Sequence, residues 1–446
     1  MLVKPGVIDL FSGCGGLLLG FEKAGFELIG GVEISPEALD TLNSNFCWRY
    51  GKDEVHICGD ITEIDADVFK SHIGKEGCII IGGPPCQAYS LIGRAKLQSL
   101  GDDRKNTNDG RGLLYQEFLR FVKDLCPRAV VMENVPESVN YGGKNIPETV
   151  CTELEQMGYR TFWTILNSAD FGVPQIRERI FVLAVRQDEQ RFVELPVPDH
   201  KNPGQDQTNY QKQLNRFSAF SHFRQGLLPD NSCENWVTVG EALSDLPVLF
   251  TDPFQKYQLI PINAAFKYQT EPENEFQQEM RTWYGEETQF VTGESFRKTV
   301  RDFPLFAKMK QGDNYLQASE IALQRLQQEA EVAGISAGSQ EYQKLKKKIV
   351  PPYKTDKFFD KWKKLDEDKP SHTLVAHLSV DTYSHIHPWE PRGISVREAA
   401  RLQSFPDDFY FQCRMGDAYK QIGNAVPPLL AYAVGKSIAS VFMEDD

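Results

Sequence analysis

Cys86 is the residue that the sequence places best for nucleophilic chemistry. It follows the apolar run Cys78–Ile81 and the stiff turn Gly82-Gly83-Pro84-Pro85, within the segment IGGPPCQAYS. A buried strand that stops at such a turn presents the following side chain at the strand's end. A cysteine there can react as a thiolate, and an inert core cysteine is the alternative.

A carboxylate occupies the equivalent position after a second apolar run. Ala129–Met132 reads as a strand, and Glu133 follows it in the segment MENVPES. Ligands of open α/β sheets bind at the carboxyl ends of the strands, so Cys86 and Glu133 are expected to face one site. The alternative for Glu133 is a solvated or capping residue.

A glycine-rich turn near the amino terminus predicts a ligand-binding loop. Val7–Phe11 reads as a strand, Ser12-Gly13-Cys14-Gly15-Gly16 as a tight turn, and Leu17–Ala24 as a helix that Gly25 ends. Glycines let the backbone approach a ligand closely. Leu18 replaces the third glycine of the dinucleotide fingerprint, so the turn alone does not specify a dinucleotide.

Acidic residues after the next two strands extend this prediction. Leu28–Val32 reads as a strand that ends in Glu33, which is placed to bind ribose hydroxyls. Val55–Cys58 leads to Asp60, which could accept a hydrogen bond from an adenine amine. The pattern indicates a nucleoside ligand and does not require a diphosphate.

Taken together, five segments resemble the ordered motif set of the DNA cytosine-5 methyltransferase family. They are DLFSGCGG, GGPPCQAYS, MENVPES, QIRERIFVLAV at Gln175–Val185 and QIGNAVPP at Gln421–Pro428. The resemblance covers Lys4–Val185 and His372–Gly435. It implies an α/β fold: a Rossmann-like methyltransferase domain that binds S-adenosylmethionine, with a smaller, irregular target recognition domain.

The resemblance also implies a role for each matched residue. Cys86 would add to carbon 6 of cytosine, and Glu133 would protonate or hydrogen-bond ring nitrogen 3. Arg177 and Arg179 resemble the family's arginine pair, whose positive charge would lower the cysteine pKa from about 8.5. The implied cofactor contacts are Phe11, Gly13, Cys14, Gly16, Glu33, Ile34, Asp60, Ile61, Gly83, Pro85, Leu114 and Asn424. For Phe11, a place in the core is the alternative to stacking on adenine.

Two further stretches predict contacts with DNA. Gln87–Arg111 resembles the family's catalytic loop, which closes over the duplex once the target base has been swung out of the stack. Lys344–Lys364 holds nine lysines against two aspartates, with aromatic residues interleaved. The net charge of −13 is no obstacle, because phosphate contact depends on local charge. A solvated charged face is the alternative for the lysine-rich stretch.

The sequence predicts a catalytic domain in residues 1–187 and 416–446, and a target recognition domain in 188–415. Composition changes after Gln187, where the family motifs end. A few elements can be predicted within the target recognition domain and in the carboxyl-terminal part of the catalytic domain. They are an added helix at Ser319–Ala333, a segment Ser395–Phe409 that resembles the family's ninth motif without a capping pattern at Ser395, and an apolar helix at Val426–Val434.

Composition sets the remaining expectations. No apolar stretch approaches about 18 residues and no signal-peptide pattern opens the chain, which predicts a cytoplasmic protein without a membrane segment. Nine cysteines without a C-x-x-C pair argue against zinc or a disulfide framework. His385, His387 and Cys413 are a weak metal signal, so we predict no metal and expect a monomer.

The predicted function is methyl transfer from S-adenosylmethionine to carbon 5 of a flipped-out cytosine in a specific double-stranded DNA sequence. The compact chain resembles the modification enzymes of restriction-modification systems, which implies a cognate restriction endonuclease as a partner. A tRNA cytosine-5 methyltransferase and a catalytically inactive DNA-binding relative are the alternatives.

Overall fold

The computed structural model describes residues 4–50, 56–85, 114–204, 209–353 and 361–443. Cys86 and the whole of Gln87–Arg111 lie outside these ranges. The chain divides into two compact units, which are Met1–Trp236 with Ala425–Asp446, and Val237–Asn424. The domain assignment made from the sequence stays a prediction, because compactness alone does not identify the segments that recognise DNA.

A seven-stranded sheet forms the centre of the first unit. Its strands are β1 (Gly6–Leu10), β2 (Leu28–Glu33), β3 (His56–Cys58), β4 (Cys78–Gly82), β5 (Ala129–Asn134), β6 (Tyr159–Asn167) and β8 (Glu178–Arg186). Their order is β3, β2, β1, β4, β5, β8, β6. The strands β1 to β5 are parallel, and β8 is antiparallel to both β5 and β6. The predicted α/β class is therefore confirmed.

The remaining elements of the first unit include helices on both faces of the sheet. These helices are α1 (Gly16–Lys23), α2 (Pro36–Tyr50), α3 (Leu114–Leu125), α4 (Ile146–Gln156), α5 (Asn209–Phe217) and α13 (Pro428–Val441). Three short strands are β7 (Gln175–Ile176), β9 (His200–Lys201) and β10 (Glu234–Asn235). Short 3-10 turns lie at Ile61–Glu63, Ala66–His72, Pro136–Asn140 and Ser168–Phe171.

The sequence explains why the central strands are covered on both faces. All residues of β4 and β5 are buried, and their nearly continuous apolar runs are typical of parallel strands between helical layers. On one face, Phe118 and Phe121 of α3 are fully buried. Elsewhere in the unit α1 packs closely on α13, since a Cβ at Gly20 would lie 2.4 Å from the Cβ of Ala431.

The strand order creates a crevice at the carboxyl edge of the sheet. The chain runs outward from β1 through β2 to β3, and then crosses to β4 on the other side of β1. Ligands of open α/β sheets bind where the strand order reverses in this way. The glycine-rich turn after β1 and the Gly-Pro turn after β4 flank that position.

The second unit consists mainly of helices, with only short strands among its described residues. Its helices are α6 (Val239–Leu243), α7 (Glu275–Arg281), α8 (Phe303–Phe306), α9 (Tyr315–Val332), α10 (Gln340–Ile349), α11 (Val396–Leu402) and α12 (Met415–Asn424). Its strands are β11 (Phe266–Lys267), which pairs with β12 (Phe290–Val291), and β13 (Ser371–His372). Ala376–Ser379 forms a 3-10 turn.

Capping residues set two helix starts that differ from the prediction. The helix expected from Ser319 begins at Tyr315, because Asn314 caps it together with Gln317. The expectation that Ser395 lacks a capping pattern is wrong. Its hydroxyl accepts from the backbone N–H of Glu398, whose carboxylate accepts from the N–H of Ser395. Among the described residues, no helix is long and apolar enough to cross a bilayer.

Candidate active site

Glu133 lies near the carboxyl end of β5, at the edge of the sheet where the crevice is. Its side chain is 12% exposed and forms an ion pair with Arg179, whose Nε lies 2.9 Å from Oε1. A Cβ at Gly83 would lie 2.8 Å from Oε2, so the carboxyl packs against the backbone of the turn that follows β4. The absence of a side chain at Gly83 is what allows this approach. Glu133 is therefore a buried, paired carboxyl, and not the solvated strand end that was the alternative.

Opposing influences act on the pKa of Glu133. Burial raises the pKa of this carboxyl, and the charges of Arg179 and Arg177 oppose that effect without cancelling it. The carboxyl therefore holds its proton to a higher pH than an ordinary glutamate does. A buried carboxyl with a raised pKa is suited to donate a proton to a bound base.

Arg179 belongs to β8, and Arg177 is the residue directly before that strand. Arg177 is almost completely buried, and its Nη2 donates to the carbonyl of Ala425 at 3.0 Å. Arg179 is 12% exposed, and its Nη1 donates to the carbonyl of Glu178. The two guanidinium groups thus have separate anchors, while both of their charges act on Glu133.

Asn134 is a contributor to this site that the sequence prediction did not assign. Its Nδ2 donates to the carbonyl of Pro84 at 3.4 Å, and its Oδ1 accepts from the N–H of Val135 at 2.9 Å. These bonds join the end of β5 to the turn that precedes Cys86. Its position beside Glu133 in the MENVPES motif was the available signal, but a spacing pattern does not reveal a bond to a carbonyl 50 residues away.

The turn after β1 has the backbone that a close-binding loop requires. Gly13 and Gly15 have φ angles of 56° and 91°, a region that favours glycine. Phe11 also has a positive φ, 60°, which is uncommon for an aromatic residue. No described atom lies within 4 Å of the position that a Cβ would take at Gly13, so the backbone is accessible to a ligand there. Phe11 is half-buried against the core, so core packing and ligand contact are compatible.

Glu33 closes the glycine-rich turn from the neighbouring strand. Its Oε2 accepts from the N–H of Gly13 and its Oε1 accepts from the N–H of Ser35, both at 2.8 Å. The side chain is 9% exposed. The sequence placed Glu33 beside the turn but did not reveal that its carboxylate organises the turn itself. Its predicted contact with ribose stays a prediction.

The residues after β2 and β3 supply an apolar surface and a second acid. Ile34 is 66% exposed, which is unusual for an isoleucine beside a buried strand, whereas Ile61 is buried. Asp60 is exposed, and its Oδ1 accepts from the N–H and the hydroxyl of Thr62. These bonds lower the pKa of Asp60, so it is ionised and can accept further hydrogen bonds.

The other predicted cofactor residues occupy varied positions. Gly16 begins α1, Cys14 is buried within the turn, Leu114 begins α3, and Pro85 is half-buried directly before Cys86. Asn424 is exposed at the end of α12, in the second compact unit. Phe11, Gly13, Cys14 and Gly16 thus lie in or beside one turn, which Glu33 contacts from β2. Gly83, Glu133 and Arg179 form one cluster, on which the charge of Arg177 also acts.

The described residues near the glycine-rich turn fit an adenosyl cofactor. The turn offers an accessible backbone at Gly13, an exposed apolar side chain at Ile34 and an ionised carboxylate at Asp60. These features match the needs of a nucleoside, which has ring faces and hydrogen-bonding edges. They do not provide the positive charge that a diphosphate would need.

His387, Glu390 and Glu398 lie close enough to suggest a metal centre, but their hydrogen bonds indicate a different role. Nδ1 of His387 accepts from the N–H groups of Trp389 and Glu390, so its Nε2 is the protonated nitrogen and faces Glu398 at 3.3 Å. Arg392 bonds to both glutamates. The cluster is a buried ionic network within the second unit.

The lysine-rich stretch is divided between the surface and the core. Four of its lysines are exposed on α10: Lys344, Lys346, Lys347 and Lys348. Lys364 is buried and donates to the carbonyl of Phe306, and Trp362 is fully buried. Lys361 lies 3.6 Å from Asp381. The exposed positive charge is thus concentrated on one helix, while Lys354 and Lys357 lie outside the described residues.

Comparisons with known proteins agree with the motifs. A family model described as C-5 cytosine-specific DNA methylase matches residues 6–440. M.OihORF3336P of Oceanobacillus iheyensis is 52% identical over 439 residues, which cover 97% of this chain and 95% of that protein. M.AgeI of Thalassovita gelatinovora, named a type II methyltransferase, is 30% identical over 460 residues, covering 97% of this chain and 98% of that protein.

A solved structure supports the fold. The crystal structure of a protein encoded within an Escherichia coli prophage matches with a TM-score of 0.64 and 23% sequence identity. The match covers 98% of this chain and 99% of that chain.

Proposed function

The chain belongs to the family of C-5 cytosine-specific DNA methylases, and from this premise we propose that it is the modification enzyme of a restriction-modification system. The resemblance drawn from the five motifs is confirmed, and the chain is a DNA cytosine-5 methyltransferase that uses S-adenosylmethionine. The proposed substrate is a cytosine within one specific double-stranded DNA sequence. The family description names DNA, which favours this substrate over tRNA.

The observation that carries the proposed mechanism is the buried carboxyl of Glu133 against Gly83, three residues before Cys86. Carbon 5 of cytosine is a poor nucleophile. In the proposed reaction the Cys86 thiolate forms a bond to carbon 6, and the displaced ring electrons are accepted towards nitrogen 3, where Glu133 supplies a proton or a strong hydrogen bond. The resulting enamine makes carbon 5 nucleophilic.

The arginines hold the acid and balance its charge in this mechanism. The ion pair with Arg179 fixes one carboxylate oxygen of Glu133, so the group is preorganised before the base arrives. The cofactor supplies an electrophilic methyl group. When carbon 5 bonds to that methyl, the bond from the methyl to the sulfonium sulfur would break and S-adenosylhomocysteine would be released. A base would then remove the proton from carbon 5, the proton on nitrogen 3 would return to Glu133, and the Cys86 sulfur would depart as a thiolate while the ring double bond re-forms.

The proposed cofactor contacts follow the two turns that flank the crevice. Gly13 would admit the cofactor to its backbone, Ile34 would cover a ring face, and Asp60 would accept from an adenine amine. Glu33 would bind ribose hydroxyls with the lone pairs that its bonds to Gly13 and Ser35 leave available. The predicted contact of Asn424 with the cofactor stays a prediction.

We propose that α10 contacts the DNA backbone. Lys344, Lys347 and Lys348 lie at positions i, i+3 and i+4, so they share one face of the helix, opposite the buried Ile349. Among the residues that the structure describes, no acidic side chain forms an ion pair with any of these three. Three such ammonium groups on one exposed face form a local positive patch, which is what contact with a phosphate backbone requires.

A salt titration tests the role of α10. Replacing Lys344, Lys347 and Lys348 with glutamine should weaken DNA binding and reduce the slope of log affinity against log salt by about 3. A matched control replaces Lys75, Lys123 and Lys144, exposed lysines of the first unit that form no ion pair with a described acidic side chain. An unchanged slope in the α10 variant would contradict the proposal.

The type II names of relatives such as M.AgeI support the proposed restriction-modification role. A cognate endonuclease that cuts the same sequence is the proposed partner. The enzyme should methylate plasmid DNA with labelled S-adenosylmethionine, and bisulfite sequencing should locate the product at one sequence. Protection of the plasmid from an endonuclease with that specificity would identify the partner. Methylation of tRNA but not of duplex DNA would contradict the proposed substrate.

A mechanism-based probe tests the proposed nucleophile. Duplex DNA with 5-fluorocytosine at the target position should form a stable covalent complex, because fluorine cannot leave carbon 5 as a proton does. The Cys86→Ser variant should form no such complex and should lose turnover, while it binds S-adenosylmethionine normally. A covalent complex that persists in this variant would remove Cys86 from its proposed role.

A further inference from the structure

Three residues form a polar row across the first three parallel strands of the sheet. Asp9 of β1 pairs with Gly31 of β2, and Gly31 pairs with His56 of β3. Paired residues of neighbouring strands project from the same face, so the side chains of Asp9 and His56 flank the position where Gly31 has none. A Cβ at Gly31 would lie 2.2 Å from the backbone carbonyl oxygen of Asp9, 2.7 Å from Cδ2 of the imidazole and 2.8 Å from its Nε2. The ring therefore lies over Gly31, on the side towards Asp9.

Both side chains are buried without a protein partner. Asp9 is 1% exposed and His56 is 5% exposed. Among the described residues, none forms a hydrogen bond with either carboxyl oxygen of Asp9 or with either ring nitrogen of His56. A buried polar atom without a hydrogen-bond partner is destabilising, and these are four such atoms in one row.

The two groups are chemically complementary when both are neutral. Burial, and then the nearby Glu33, raise the pKa of Asp9, so its carboxyl keeps a proton that it can donate. Burial lowers the pKa of His56 to about 4, so its imidazole is uncharged and has one nitrogen that can accept. One small polar molecule between them could accept from Asp9 and donate to His56.

We propose that Asp9, Gly31 and His56 form a buried binding site for one water molecule, which hydrogen-bonds to both side chains and joins β1 to β3 across β2. Buried waters occupy sites of this kind, where several polar groups lack protein partners. A side chain at Gly31 would collide with the ring and with the carbonyl oxygen of Asp9, so glycine is what lets the ring approach β1. Because Asp9 belongs to β1, which leads into the glycine-rich turn, the water would support the strand that carries this turn.

The sign of a stability change tests this site. With a bridging water, Asp9→Leu and His56→Leu in the full chain should each lower the urea midpoint of unfolding, because each removes one anchor and leaves the other group unsatisfied. Asp9→Asn should lie closer to the wild type than Asp9→Leu does, since an amide can still bond to water. Without a bridging water, both leucine variants should raise the midpoint, because each removes an unsatisfied polar group.

Thr164→Val is the matched control. The Thr164 hydroxyl is also buried without a described partner, and Thr164 pairs with Phe181 rather than with a polar residue. Its midpoint should stay unchanged or rise. If the leucine variants fail to fold, a crystal structure of the wild type that shows ordered waters decides the question. One water within hydrogen-bonding distance of Asp9 and Nε2 of His56 supports the proposal, whereas a direct bond between the side chains or an empty space would overturn it.

Discussion

Replacement of Glu133 by glutamine separates its chemical role from its structural role. Glutamine has the same shape but cannot donate the carboxyl proton to ring nitrogen 3. A positioned general acid contributes about 100-fold to 10,000-fold to a rate, which corresponds to about 3–5 kcal/mol of barrier. The Glu133 side chain is only 12% exposed, so bulk water cannot readily replace the lost donor. We therefore expect the methyl-transfer step to slow by at least about 100-fold.

The same substitution should change stability much less. Glutamine can still accept a hydrogen bond from Nε of Arg179, at the position where Oε1 now lies 2.9 Å away. Because Arg179 stays charged, its bond to the glutamine oxygen is still a hydrogen bond to an ionised group, worth about 1.5–3 kcal/mol, so the expected loss is at most about 1.5 kcal/mol. The variant should remain folded at ordinary temperatures and bind its cofactor.

Single-turnover methylation at several pH values is the decisive assay. As the pH rises through the raised pKa of Glu133, the wild-type carboxyl loses its proton, so the rate of methyl transfer should fall on the alkaline side. Glutamine has no proton to lose there, so the variant's residual rate should lack this decrease. Glu137→Gln, the same change four residues further along, is the control. A variant rate close to that of the wild type, or an alkaline decrease that persists in Glu133→Gln, would refute the assignment.

Two further predictions concern stability against pH. His222 bonds to Glu148 and Glu155, which raise its pKa although burial alone would lower it. The contribution of His222 to the free energy of unfolding should be complete below about pH 6.5 and should disappear as the pH rises through the raised pKa. The His222→Gln variant should lack this dependence in thermal unfolding. Glu294 has its pKa raised to about 8 by burial and by Glu398. The unfolded chain releases this proton first, so the free energy of unfolding should fall between pH 4.5 and 8, and Glu294→Gln should abolish that fall in urea titrations. Identical pH profiles for variant and wild type would contradict either prediction.

The strands of the catalytic edge could be predicted because their sequence signals are local. The predicted strand from Cys78 begins at that residue in the structure. The strand predicted at Ala129–Met132 extends two residues further, to Asn134, so Glu133 lies within β5 and not after it. Such apolar runs end at turns whose residues restrict the backbone, so both ends are marked in the sequence. The helix that begins at Tyr315 was placed four residues late, because its start depends on a reciprocal bond between Asn314 and Gln317.

The contacts of the site could not be predicted in the same way. The sequence placed Glu33 near the glycine-rich turn, but its bond to the N–H of Gly13 depends on how far β2 extends beside β1. The row of Asp9, Gly31 and His56 depends on the register of three strands, which no local pattern specifies. The lysine-rich stretch reads as one basic segment, although tertiary packing buries Lys364 and leaves the lysines of α10 exposed.

The pairing of Glu133 with Arg179 follows from the direction and the register of β8. Because β8 is antiparallel to β5, its first residues lie at the same edge as the last residues of β5. Glu133 pairs with Phe181, so Arg179, two residues earlier, shares its face and is its diagonal neighbour. A parallel β8 would carry Arg179 to the opposite edge, and a shift of one residue would turn Ile180 towards the carboxyl. The buried run Ile180–Val185 fixes this register, so the packing of an apolar strand determines the charge environment of the proposed acid.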